Sequence, residues 1–71
     1  MALMCEASRL AAGVWTRMVV GQFPPGPYRK VHSVHRYFSN GRPMLRIVFT
    51  NGTESETPAD ARWEIDMEID Q

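Results

Sequence analysis

His32, His35 and Cys5 are the only side chains in this sequence with soft-metal chemistry. A His-x-x-His pair on a straight strand points to opposite faces, and no second cluster supplies further ligands. No metal and no cofactor is therefore expected, unless the backbone bends between the two histidines. Ser33 stands between them, but nucleophilic catalysis needs a positioned base, an orienting acid and an oxyanion site, and nothing in the sequence marks these. No glycine-rich phosphate loop precedes a helix. The expectation is that the chain is not an enzyme.

Charge is the next chemistry available. Eight Lys+Arg balance eight Asp+Glu, yet the two signs are segregated. Residues 1–46 carry Arg9, Arg17, Arg29, Lys30, Arg36, Arg42 and Arg46 against Glu6 alone, a net +6. Residues 47–71 carry Glu54, Glu56, Asp60, Glu64, Asp66, Glu68 and Asp70 against Arg62 alone, a net −6. Such polarity makes either two binding faces or one fold in which acidic and basic strands neutralise each other. The second is favoured, since exposed charge is commonly just a solvated face.

The basic half interleaves cations with aromatics from Tyr28 to Arg42, a mixture that grips single-stranded nucleic acid by phosphate contact and stacking. Arg29, Lys30, Arg36, Tyr37 and Arg42 are the nucleic-acid candidates. The zero net charge weakens that reading. In the acidic half, Glu64, Asp66, Glu68 and Asp70 would project from one strand face about 6.8 Å apart, twice the strand rise. Phosphate mimicry is conceivable there, but a solvated strand face fits better beside so basic a first half.

These groups must be held by short elements. Leu3, Met4, Ala7, Leu10 and Ala11 recur at helical spacing, predicting a helix over Ala2–Ala12 that Gly13 stops and that docks over Trp15 and Val19. It would carry Cys5 as an inert, buried thiol. Val14–Val20 reads as a strand rich in β-branched and aromatic residues. Gly21–Pro27, with three prolines and two glycines, reads as a stiff loop rather than a ligand, because it lacks PxxP or PPxY spacing. Arg29–Phe38 is a second strand. Val31 and Val34 would fall on opposite faces of it, which predicts a bulge near His32-Ser33. Asn40-Gly41 and Asn51-Gly52 predict two-residue hairpin turns with both glycines at positive φ. Between them Met44–Thr50 puts Leu45, Ile47 and Phe49 on one face, with Met44 and Val48 on the other. Thr53–Thr57 is a short polar strand, and Pro58–Ala61 one 3₁₀ turn. Arg62–Ile69 alternates strictly, with Trp63, Ile65, Met67 and Ile69 inward.

Five strands, a proline-rich loop after the first, a tight hairpin joining the third and fourth, and a 3₁₀ turn before the last resemble the SH3-like small β-barrel. The stretch from Arg46 to Glu54, continued by Pro58 to Ile65, is similar to small barrel proteins of actinobacteria and their phages, which leaves a phage origin open. The resemblance implies a mainly β, five-stranded barrel over residues 14–71 behind a helical segment over 1–13, one domain in all. It does not imply proline-peptide binding, because no acidic loop follows the first strand.

Length bounds the function. A chain of 71 residues, 44% hydrophobic and 23% charged, is a single small domain. Met18–Val20 is its longest aliphatic run, far short of a membrane span, and Met1–Cys5 lacks the basic start of a signal peptide. With one cysteine, the cytoplasm is the expected compartment. So small a core gains from self-association. The leading expectation is a non-enzymatic interaction module acting through protein contacts, as a homo-oligomer, with Trp15, Val19, Met44 and Val48 as its interface candidates. The alternative is a nucleic-acid-binding barrel.

Overall fold

The computed structural model describes residues 2–19 and 26–66. Six strands follow one another: β1 (Ala2–Glu6), β2 (Trp15–Met18), β3 (Arg29–Ser39), β4 (Arg42–Phe49), β5 (Glu54–Pro58) and β6 (Arg62–Asp66), with a 3₁₀ turn at Ala7–Arg9. All pairings are antiparallel, and the strands lie in the order β1-β6-β2-β3-β4-β5. The expected N-terminal helix is not there. Residues 2–6 pair with β6 instead, Leu3 opposite Ile65 and Cys5 opposite Trp63. Apolar side chains at 3, 5 and 7 fit a period of two as well as a period of 3.6, and so short a helix does not repay its nucleation. The free edge of β6 offers every second residue a pair of ladder bonds at once. Gly13 does adopt a positive φ of 92°, in the bend that leads to β2 rather than at a helix end.

β3 is the hinge of the sheet. Its first two residues, Arg29 and Lys30, pair with β2, while Val31–Ser39 pair with β4. The register slips between Val31 and Ser33, the bulge that the spacing of Val31 and Val34 demands. The added twist folds one half of the sheet over the other. Between the halves lie Val31, Leu45, Ile47, Phe49, Trp63, Ala7 and Leu10, all buried, with Cys5, Val14, Val34 and Ile65 packed against them. The Phe49 and Trp63 rings stand 6.3 Å apart. Trp63 Nε1 donates to Thr57 Oγ1 at 3.3 Å, and Thr16 Oγ1 donates to the Glu64 carbonyl at 2.8 Å, so these buried polar groups are bonded.

The turns follow their residues with one departure. Asn40 (φ 52°) and Gly41 (φ 77°) make the expected two-residue turn, with Ser39 opposite Arg42. At the second hairpin only Gly52 is left-handed, at φ 89°. The Phe49 N–H donates to the Thr53 carbonyl at 2.8 Å across a three-residue loop. Asn51 Oδ1 accepts from the Thr53 N–H at 3.1 Å, which holds the asparagine as a side-chain-capped turn residue in place of a second left-handed position.

The sheet is not closed into a barrel, and it has six strands where five were expected, because β1 adds to β6. Single backbone bonds extend its ladders past the strand ends, and one of them, from Ser8 to Ala59, ties the segment after β1 to the segment after β5. The Ala7 N–H donates to the Ala61 carbonyl at 2.8 Å, Ser8 N–H to Ala59 at 3.0 Å, and Ala59 N–H to Pro43 at 3.1 Å. The predicted 3₁₀ turn before β6 appears as one bond, Ala61 N–H to the Pro58 carbonyl at 3.1 Å. Val20, most of the proline-rich loop, and Met67 and Ile69 lie outside the described residues.

Candidate functional site

Strand alternation divides the chemistry-bearing side chains between the core face of the sheet and its outer face. On the outer face of β2 and β6, Arg17 stands opposite Glu64. Arg17 Nε and Nη2 donate to the two Glu64 carboxylate oxygens at 3.0 and 3.2 Å. Tyr28 Oη donates to Glu64 Oε1 at 2.9 Å, and the Arg17 guanidinium lies 4.3 Å over the Tyr28 ring. Three residues from distant parts of the chain thus form one cluster that anchors the approach to β3. Nothing in the sequence marks it, since Arg17 and Glu64 are 47 residues apart. It also shows part of the expected neutralisation, an acidic strand beside a basic one. Glu64 is committed here and is not free to mimic a phosphate.

The Arg17 hydrogen bonds first, and the Tyr28 hydrogen bond second, hold the Glu64 carboxyl below its ordinary value of 4.5. A carboxyl whose pKa is lower folded than unfolded stabilises fully above the unfolded value, and the contribution is lost as pH falls through the folded one. Acidification below about pH 4.5 should therefore destabilise the wild type more than Glu64→Gln. Melting curves of both proteins from neutral to acid pH check this; parallel curves would show that the cluster contributes nothing.

The nucleic-acid candidates do not share a surface. Arg29 lies 3.8 Å over the Phe49 ring and donates to Thr53 Oγ1 at 3.0 Å, closing one end of the core. Lys30 is on the outer face, opposite Trp15. Arg36 pairs with Leu45 on the core side and reaches the Ser8 carbonyl at 3.1 Å. Tyr37 is back on the outer face, half-buried opposite Met44. With His35, Arg36, Arg46 and Glu56 it lines a shallow cavity of about 260 Å³. Partial burial first, and the Glu56 carboxylate second, push its phenol pKa up. Arg42 sits on the rim of a separate cleft of about 270 Å³, together with Glu6 and Asp60. Neighbouring cations on one strand alternate in direction, so the run legible in the sequence is scattered by the sheet.

His32 Nδ1 and His35 Nε2 come within 3.4 and 3.3 Å of the same Ser33 Oγ, His35 from two residues along the same face and His32 from the neighbouring bulge position. Both imidazoles are exposed. Ser33 is an ordinary ladder residue opposite Val48, and among the described residues no three His, Cys, Asp or Glu side chains are placed to hold a metal. Burial pushes the Cys5 thiol pKa up, the nearby Arg9 offsetting part of the effect, which leaves it a poor nucleophile.

The interface candidates occupy two regions. Trp15 is half-buried on the outer face, with its indole N–H buried and unpartnered among the described residues, and no helix covers it. Val19 is exposed just past the end of β2. Met44 and Val48 are half-buried on the outer face of β4, opposite Leu45 and Ile47 in direction, as alternation requires. Leu3 and Met4 are exposed as well, on opposite faces of β1, residues hidden from the sequence reading by the helix assigned to them. Among the described residues no helix is long and apolar enough to cross a membrane. No family model matches the chain, and no curated protein or solved structure is detectably similar to it.

Proposed function

We propose that this chain is a non-enzymatic interaction module that works through protein contacts, self-association being the simplest form. The observation that carries the reading is the large apolar side chains left uncovered on β1 and at the end of β2: Leu3 is 49% exposed, Met4 45%, Val19 39% and Met18 37%. Leu3 and Met4 are neighbours on an edge strand, and large apolar side chains left uncovered there support a docking role. The succession of β2 to β6, with its bulged second member and the turn before the last, supports an SH3-like unit to which β1 is an addition. The scattering of Arg29, Lys30, Arg36, Tyr37 and Arg42 over two faces weighs against a nucleic-acid groove.

Molecular mass by light scattering across a salt series tests the reading. An assembly held by apolar burial persists from low to moderate salt, because screening weakens only the charge pairs. A protein that stays monomeric throughout, and binds generic DNA or RNA tightly with a strong salt dependence, would replace this reading with the nucleic-acid one.

A further inference from the structure

The two ends of the sheet are built differently. β5 ends the sheet on one side with Glu54 and Glu56 alternating along it and Pro58 closing it. Charges and a residue without an N–H are the usual protection of an edge strand, and two such edges brought together about Glu56 would set like charges opposite each other. β1, at the other end, reads Ala-Leu-Met-Cys-Glu. It has no proline, no lysine and a single charge at its last position.

The direction of its backbone groups follows from the ladder. The Ala7 N–H donates to the Ala61 carbonyl, so Ala7 faces β6 with its polar groups. Antiparallel pairing alternates, so Cys5 and Leu3 also turn their N–H and C=O groups to β6, while Met4 and Glu6 turn theirs away from the sheet. Leu3 lies on the core face beside Ile65, and Met4 on the outer face beside Glu64. The one charge next to Met4 is already answered, since Glu64 is held by Arg17 and Tyr28. Among the described residues no strand pairs with this edge, which is apolar from Ala2 to Cys5 and carries its one charge at Glu6.

We infer that β1 docks against β1 of a second copy of this chain, antiparallel about a twofold axis at Met4, joining the two sheets into one. This rests on the interaction-module reading and names its partner. In that register Met4 meets Met4, Leu3 meets Cys5, and Ala2 meets Glu6, so no like charges face each other. The two Met4 residues exchange both backbone hydrogen bonds, and Leu3 of each copy extends the other's core face beyond Cys5. A second copy fits this edge because the one charge of β1, Glu6, then faces Ala2 of the other copy, and the strand meets an edge as apolar as itself. The contact is isologous and closes: it consumes both β1 edges and leaves, among the described residues, the two charged β5 edges at the ends of the joined sheet.

Sedimentation across a concentration series, combined with backbone amide exchange, tests the inference. The wild type should dimerise, with the Met4 and Glu6 amides slowing in exchange as concentration rises while Leu3 and Cys5, already bonded to β6, change little. Met4→Lys should weaken the dimer by about tenfold or more, because an apolar contact is replaced by two facing cations. Met4 is exposed, so the variant keeps its fold, and mixing it with Met4→Glu should restore a heterodimer. A dimer that Met4→Lys leaves intact, or unchanged exchange at Met4, would overturn the inference. If Val48→Lys then dissociates that dimer, the interaction reading stands with its seam on the outer face of β4. A monomer at every concentration overturns the β1 seam and self-association together.

Discussion

Trp63→Ala is expected to lower stability by about 3 to 5 kcal/mol, a large part of the roughly 5 to 10 kcal/mol that a chain of this length can hold. Trp63 is the largest fully buried side chain. It packs beside Phe49, its indole N–H is bonded to Thr57, and through β6 it stands between Cys5 of β1 and Met18 of β2. Alanine leaves a cavity at the point where both halves of the sheet meet and removes the indole donor from the Thr57 hydroxyl, which keeps only its own bond to the Pro58 carbonyl. Thermal and urea unfolding followed by far-UV circular dichroism measures the loss. A midpoint close to the wild type's would mean that Trp63 faces solvent and that β6 is out of register by one residue, since a one-residue slip exchanges the two faces of a strand.

Ile47→Ala should cost about 2 to 5 kcal/mol, and its neighbour Val48→Ala less than about 1 kcal/mol. Ile47 is fully buried against the core while Val48, one residue further on, points to the outer face opposite Ser33. The difference between adjacent positions isolates the alternation of β4 from the general sensitivity of a small domain. Equilibrium unfolding at low protein concentration gives both values. Equal losses would show that Val48 is covered, and a Val48 loss that grows with protein concentration would show that a second copy covers it.

The strands most legible in the sequence were those whose local signals agree. In β4, Leu45, Ile47 and Phe49 alternate between two turns marked by Asn-Gly pairs, and propensity, period and turn chemistry all point to one strand. The bulge at His32 was legible for a similar reason, because two valines three residues apart cannot share a face of a straight strand. Charge segregation was legible too, but only as composition. Whether opposite charges meet depends on which strands become neighbours, and neighbourhood is a long-range property.

That is why the candidate surfaces changed most. Alternation sent Arg36 and Tyr37 to opposite faces, Arg29 went to the end of the core, and the run of cations became scattered positions. Arg17, Glu64 and Tyr28, read apart from one another in the sequence, met because β2 and β6 are adjacent. Five residues at the start of the chain carried too few positions to separate a period of two from one of 3.6. Sequence alone determined a small, mainly β chain, its two glycine turns, its bulge and the inward residues of its best strands, because each rests on contacts within a few residues. Tertiary structure alone decided that residues 2–6 are a strand, that the sheet stays open and that its two ends differ. Those outcomes depend on an unpaired edge of β6, which exists only once the rest of the chain has folded.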